Sequence, residues 1–323
     1  MSGKNHSQSP ALDLSEKLYN SKIVGFIKSL QRNLNLETEE MRDILRLTPE
    51  QFESVLNCKG HLTAYQFADL AKRFHFSLEN FNQDRIDMTV IQQHYGGNQS
   101  YISEKYTTGA FSKKIMVINV LNYVERFYAK SLRADAMDYF QVNDSIYEDR
   151  DGMVNFVFFE DLINYLKSRG LNETDVTRIG AHTIRTNEGT PFAREMAKFS
   201  SPKEMYEIYM TELIKTVEQN NAYKLIRLCD DFCVIESHEN HNLLDIFKVH
   251  HIGDPARCTY RVGALAAATN YMGLPSSDVV ETTCVHNGDP VCTFHINFER
   301  PAHHLRSIQQ QSNRVKRRYC EKR

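Results

Sequence analysis

ETTCVHNGDPVC, residues 281–292, is the stretch on which the reading of the C-terminal half turns. Cys284 and Cys292 stand symmetrically about Gly288. Taken as a hairpin with Asn287-Gly288-Asp289 as a three-residue loop, the sequence sets Val285 opposite Val291 and Cys284 opposite Cys292. Directly opposed side chains lie within about 5 Å of one another. Pro290 has no N–H to give, so its pair with His286 is best placed as a non-hydrogen-bonded one. Alternation then puts Cys284 and Cys292 in the same, closer kind of pair. The two sulfurs are expected to meet, as a disulfide, as reduced thiols or around a shared metal.

Working outward, two more ligand types come into range. Glu281 precedes Cys284 by three residues, and Cys258 lies on the helix expected in DPARCTYRVG. Three thiolates and one carboxylate make a closed tetrahedral set for structural zinc, with no open position for catalysis. Such a site would tie a helix to a hairpin. Strict strand alternation puts Glu281 and Cys284 on opposite faces, so the reading requires a bulge or bend near Thr282-Thr283.

Residues 258–298, with Cys258, Glu281, Cys284, the Gly-Asp-Pro turn and Cys292 before Phe294, resemble the small-molecule-binding 4-vinyl reductase domain of aromatic-responsive bacterial activators. The resemblance implies that these four residues hold a structural zinc ion. VNFVFFEDLINYLKSRGL and the helix from residue 114 resemble the first half of such sensors, and of their haem-nitric-oxide-binding relatives, more loosely. Independently of the resemblance, the alternation of helical and extended segments from residue 114 and the closing hairpin predict an α+β sensor domain over 114–300 with an antiparallel sheet.

The whole chain bounds these readings. Its 323 residues are enough for two or three domains, and a composition of 41% hydrophobic and 25% charged residues is that of an ordinary globular protein. No run of 18 apolar residues exists, so no membrane span is expected. The polar N-terminus does not read as a signal peptide, and the expected compartment is the cytoplasm, where the seven cysteines would be mostly reduced. Lys+Arg 39 against Asp+Glu 41 gives no global charge that argues for nucleic acid or membrane. Residues 1–20 are expected to be disordered, 85–113 to be a linker with at most a strand, and 301–323 to be a basic tail.

Between residues 21 and 84, apolar positions spaced three and four apart mark five short helices, with Thr38, Thr48 before Pro49, Thr63 and Ser77 as capping residues. Residues 23–81 resemble the helix-turn-helix domain of lambda-repressor-like regulators, in which the third helix enters the major groove. Arg42 stands where the family has a small Ala, and Arg46 where a Gly makes the turn. Glu50 and Glu53 make the candidate recognition helix acidic, a poor electrostatic footprint for DNA. The candidate DNA contacts are Gln51, Ser54 and Asn57 for bases and Thr38 for a phosphate, with Lys59 contributing to a basic face alongside Lys72, Arg73 and the tail.

Cys229 and Cys233 flank a turn at Asp230-Asp231 and read as packed thiols, while Cys58 and Cys320 have no partners in sequence. His238, His241, His250 and His251 read as loop histidines. No phosphate loop, nucleophile elbow or paired-carboxylate signature is present, so the chain is not expected to be an enzyme. A ligand pocket is expected between the hairpin sheet and helices over 203–219 and 257–271, lined by Tyr206, Tyr209, Tyr223 and Tyr260. The aromatic sensors that the chain resembles place a Trp near the ligand, and this chain has none, so the resemblance does not extend to a phenol-like ligand. Together these features describe a homodimeric, ligand-responsive bacterial transcription regulator that binds DNA and a small hydrophobic ligand, with a protein-interaction module carrying a degenerate helix-turn-helix as the alternative. A tetrapyrrole vinyl reductase has no catalytic set to support it.

Overall fold

The structure is a computed structural model that describes residues 10–301. Of the segments singled out in sequence, the first nine residues and the basic tail after Pro301, with Cys320, lie outside that range. Helices dominate, accompanied by antiparallel sheets, and the chain divides into two compact units. The first holds the residues through Ser103 together with Met137–Asn143; the second holds Glu104–Ala136 and the chain from Asp144 onward.

The first unit carries α1 (Pro10–Leu34), α2 (Thr38–Leu45), α3 (Pro49–Leu56), α4 (Ala64–Phe74), α5 (Leu78–Asn82) and α6 (Met88–Tyr95). Local chemistry sets their starts. Thr48 and Thr63 each close a reciprocal capping box, with Gln51 and Gln66 respectively, and the Ser77 side chain caps α5. Thr38 does not cap: it is the first residue of α2, and Glu37 before it makes no capping hydrogen bond. Arg46 takes the left-handed conformation that ends α2, at φ 53°, in the place where a Gly would cost nothing. Ile27, Leu30, Met41, Leu45 and Leu70 fill the core, and Phe26, Phe67, Phe76 and Phe81 meet edge to face above it.

Two expectations change here. Disorder to residue 20 gives way to helix from Pro10, held where Tyr19 meets the Phe81 ring edge-on. The stretch expected to be a linker from residue 85 instead forms α6, whose Ile91 joins the first unit's core, and the short α7 (Glu104–Thr107) of the second unit. Asp87 caps α6, a start signal that Gly96-Gly97 obscured in sequence.

The second unit continues with β1 (Ser112–Lys113), α8 (Ile115–Phe127), and α9 (Lys130–Tyr139), which passes into the first unit at Met137. Then come β2 (Met153–Val154), α10 (Phe156–Ser168), α11 (Glu173–Thr186), α12 (Pro191–Met196) and α13 (Pro202–Thr211). The chain ends in β3 (Asn221–Leu228), β4 (Phe232–Glu239), α14 (His241–Phe247), α15 (Pro255–Ala267), β5 (Ser277–Thr283) and β6 (Cys292–Pro301). The last four strands form an antiparallel sheet in the order β3-β4-β6-β5. Ile235, Phe294, Ile296 and Cys233 point from its inner face into a core shared with Tyr206, Met205 and Met210 of α13 and Cys258 and Leu265 of α15. β3 and β4 turn at Asp230-Asp231 as expected, leaving Cys233 buried and Cys229 half-buried.

Candidate metal centre and adjoining cavity

The 281–292 stretch keeps the expected register but not the expected loop. Thr283 pairs with Thr293, so Cys284 does come opposite Cys292, yet pairing stops there. Residues Val285–Asn287 coil into one 3-10 turn, and His286 and Val285 do not face Pro290 and Val291 as strand partners. The cause is local: the Cys284 carbonyl accepts from the N–H groups of Asn287 and Asp289, and the Cys284 N–H donates to Asp289 Oδ2 at 2.8 Å. Gly288, at φ 92°, supplies the left-handed residue this turn needs.

The bulge required by the four-ligand reading is present. Glu281 pairs with Phe294 but Thr283 pairs with Thr293, so one extra residue of β5 is accommodated at Thr282. The shift brings Glu281 to the face that holds Cys284. Cys258, from the first turns of α15, completes the group.

Ligand atoms of Cys258, Glu281, Cys284 and Cys292 all lie within 4.8 Å of one another, and this cluster could hold a metal ion. Cys258 Sγ is 3.7 Å from Cys292 Sγ and 3.7 Å from Cys284 Sγ, and all three thiols are buried. The sulfurs share protons: hydrogen-bonding to Cys292, with burial, holds the Cys258 thiol well above the usual range, while accepting that bond lowers Cys292 to about 7. Burial pushes Cys284 up to about 11. Glu281 Oε1 is buried with no hydrogen-bond partner among the described residues, a costly state for a carboxylate oxygen unless a cation or proton meets it. Val285 N–H points at Cys292 Sγ from 3.5 Å, the outer contact expected of a ligating sulfur.

A cavity of about 80 Å³ adjoins the other side of α15. Tyr209, Tyr223 and Tyr260 line it, with Tyr271, Phe192 and Met210. Tyr206 does not: it is fully buried, stacked on Phe298, and its hydroxyl donates to the Leu265 carbonyl at 2.7 Å. Those contacts, with a further hydrogen bond to Ser277 Oγ at 3.2 Å, hold it in the core against the sheet. Burial raises the phenols of Tyr209, Tyr223 and Tyr260, which therefore act as neutral hydrogen-bonding groups.

Sequence reading missed the charged end of this cavity. Arg257, 3% exposed, donates to Glu218 Oε1 at 2.8 Å, and Tyr223 donates to Glu218 Oε2 at 2.8 Å. Arg261 donates to Asn221 Oδ1 and feels both the Cys258 and Cys292 sulfurs. The signal was available: two arginines one helical turn apart sit in the otherwise small and apolar ARCTYRVGALAA. Of the loop histidines, His238 meets Glu236 and His251 meets Glu239, each at 3.0 Å, and neither belongs to the cluster.

In the first unit Thr38, Gln51, Asn57 and Lys59 are exposed and Ser54 is half-buried. Gln51 Oε1 is committed to the capping box, accepting from Thr48 N–H at 2.9 Å, and Asn57 ends α3. Arg42 pairs with Glu39 and Asp43, and Arg46 with Asp69 at 3.1 Å.

No known family profile matches the chain, and no curated protein does. Among solved structures, the Fe(II) unliganded H-NOX protein from K. algicida is 12% identical, with a TM-score of 0.44 over 59% of this chain and 98% of that one. A single-residue variant of the same protein gives 11%, 0.45, 60% and 99%, and a double variant of Tt H-NOX gives 11%, 0.38, 58% and 96%. At these scores the likeness bears on neither mechanism nor ligand.

Proposed function

We propose that this chain is a ligand-responsive transcription regulator: a zinc-stapled small-molecule sensor in the second unit, and a helix-turn-helix output in the first that acts on DNA as a homodimer. The observation that carries the sensor reading is the placement of two sites on one helix. α15 presents Cys258 to the thiol cluster and Arg257, Tyr260 and Arg261 to the aromatic-lined cavity.

Zinc suits the cluster by geometry and by ligand type. Zinc–sulfur bonds of about 2.3 Å at tetrahedral angles hold two sulfurs roughly 3.8 Å apart. The two sulfur separations of 3.7 Å match that, whereas a disulfide needs about 2.05 Å. Cys258, Cys284, Cys292 and Glu281 would be the ligands, with the orphaned Glu281 oxygen supplied with its cation. The ion would serve as a crosslink between α15 and the β5–β6 loop. Its presence is tested by metal analysis of protein purified without chelators. One zinc per chain is expected, and less than about a tenth of an equivalent overturns the assignment.

For the output, the order and lengths of α2 and α3 support the helix-turn-helix reading, and Ser54, Asn57 and Lys59 would meet DNA, Thr38 a phosphate. A second reading, a protein-interaction module, draws on the charges. Residues 21–84 carry eight Lys/Arg and nine Asp/Glu, α3 presents Glu50 and Glu53, and Arg42 and Arg46 are paired with acids. Phosphate neutralisation supplies most non-specific DNA affinity, so these pairs matter. A gel shift at low salt against the upstream region of its own gene separates the two: a retarded complex supports the DNA output, and its absence leaves the interaction module.

A further inference from the structure

The cavity beside α15 is apolar over most of its wall but not neutral. Met116, Phe192, Met210, Ile214 and Leu265 supply the apolar surface. At one end two buried guanidinium groups, Arg257 and Arg261, face a single buried carboxylate, Glu218. Both Glu218 oxygens are engaged: one accepts from Arg257 Nη2 and the other from the Tyr223 hydroxyl. Arg261 is engaged by Asn221 and by its nearness to the thiol cluster.

Arg257 is different. Its Nη1 is buried and has no hydrogen-bond partner among the described residues, and the residue, 3% exposed, lines the cavity. Glu160, another carboxylate near it, makes no ion pair with it, and among the described residues its own Oε1 is also unpartnered. Leaving a buried charged donor unmade costs more than a neutral one, and its natural partner is a carboxylate, to which hydrogen bonds are about twice as strong. A second polar group waits nearby: Tyr209, nine-tenths buried, lines the same cavity, and its hydroxyl makes no hydrogen bond among the described residues.

We infer that the cavity takes a small organic acid as its anion: a carboxylate head on Arg257 Nη1, and an apolar body no larger than a single ring or a short alkyl chain among Phe192, Met210 and the tyrosines. About 80 Å³ is several times the roughly 10–15 Å³ that one water needs, yet too little for an extended lipid or a tetrapyrrole. Neutral analogues keep the apolar contacts but leave the guanidinium unmet. This rests on the sensor reading and narrows it to a ligand class.

The test uses the full-length, metal-loaded protein and two isosteric pairs, benzoate with benzamide and butyrate with butyramide, titrated by calorimetry. The acid of at least one pair is expected to bind tenfold or more tighter than its amide. Arg257→Lys, which keeps the charge opposite Glu218 but lacks Nη1, should abolish that preference with metal content and circular dichroism unchanged. Amides binding as well as the acids would overturn the anion class and leave the sensor reading standing. Failure of all four at millimolar concentration would overturn both. Should the lysine variant not fold, the wild-type comparison alone decides.

Discussion

Glu160 on α10 makes the sharpest prediction at the scale of one residue. Burial raises its acid from 4.5 to about 8, working against the attraction of Arg257 and with the repulsion of Asp254 and Asp161. An acid whose pKa is raised on folding binds more protons in the native state, so stability falls as pH climbs from about 4.5 towards 8, by up to ~1.4 kcal/mol per pH unit. Below the lower value both states are protonated and the contribution is fully present; above the upper one it is lost. Glu160→Gln should flatten this slope in denaturant titrations taken at several pH values across that window. An unchanged slope would assign the pH dependence elsewhere. Nothing in VFFEDLINY foretold this, because a Glu on a helix reads as solvated until its neighbours in space are known. The cluster of three thiols and a carboxylate was legible for the opposite reason: the spacing, the Gly-Asp-Pro turn and strand pairing are local chemistry. Even the bulge at Thr282 followed from alternation once Glu281 and Cys284 had to share a face.

At the scale of elements, α15 is positioned by a close crossing with α11. A Cβ on Gly180 of α11 would collide with the Tyr260 carbonyl oxygen, and one on Gly263 of α15 with that of Thr177. Both obstacles are backbone, which cannot swing aside. Gly180→Ala or Gly263→Ala should therefore push the helices apart and cost several kcal/mol, beyond the ~1–3 kcal/mol of ordinary overpacking. Because α15 carries Cys258, the same variants should bind metal less well, read by chelator competition. Gly25→Ala on α1 is the control: nothing lies within 4 Å of its added methyl, and it should stabilise by roughly 0.5–1 kcal/mol. A destabilised control would refute the packing argument. Sequence pattern revealed α15 in ARCTYRVGALAAATNYMG, but neither α11 nor this close crossing. Gly in a helical run reads only as a weak position, since the partner glycine is 83 residues away. The cavity was half legible for the same reason. Tyr209, Tyr223 and Tyr260 could be guessed from aromatic composition, whereas Tyr206 was misplaced and the Arg257–Glu218 pair needs two distant segments to be seen at once.

For the whole molecule, one apolar cluster in the first unit is built from residues between Ile23 and Ile91, and the cluster against the sheet of the second from residues beginning at Met196. A crosslink acting on one core should leave the other unaffected. The proposed ion joins α15 to the loop between β5 and β6, so its removal relieves a constraint on elements that otherwise meet through Leu265, Phe294 and Ile296. Structural zinc contributes ~10–16 kcal/mol of binding free energy in small peptides, but here a preformed apolar core survives its loss, so the unit should loosen rather than unfold. Hydrogen exchange read by mass spectrometry before and after chelation checks this. Amides of β5, β6 and the first turns of α15 should exchange faster in the stripped protein, recover on adding zinc, and be accompanied by no change across α2 to α4. Acceleration spread evenly over both units would mean that the cluster holds the entire chain together. No acceleration anywhere would mean that the buried thiols pack without help from a metal.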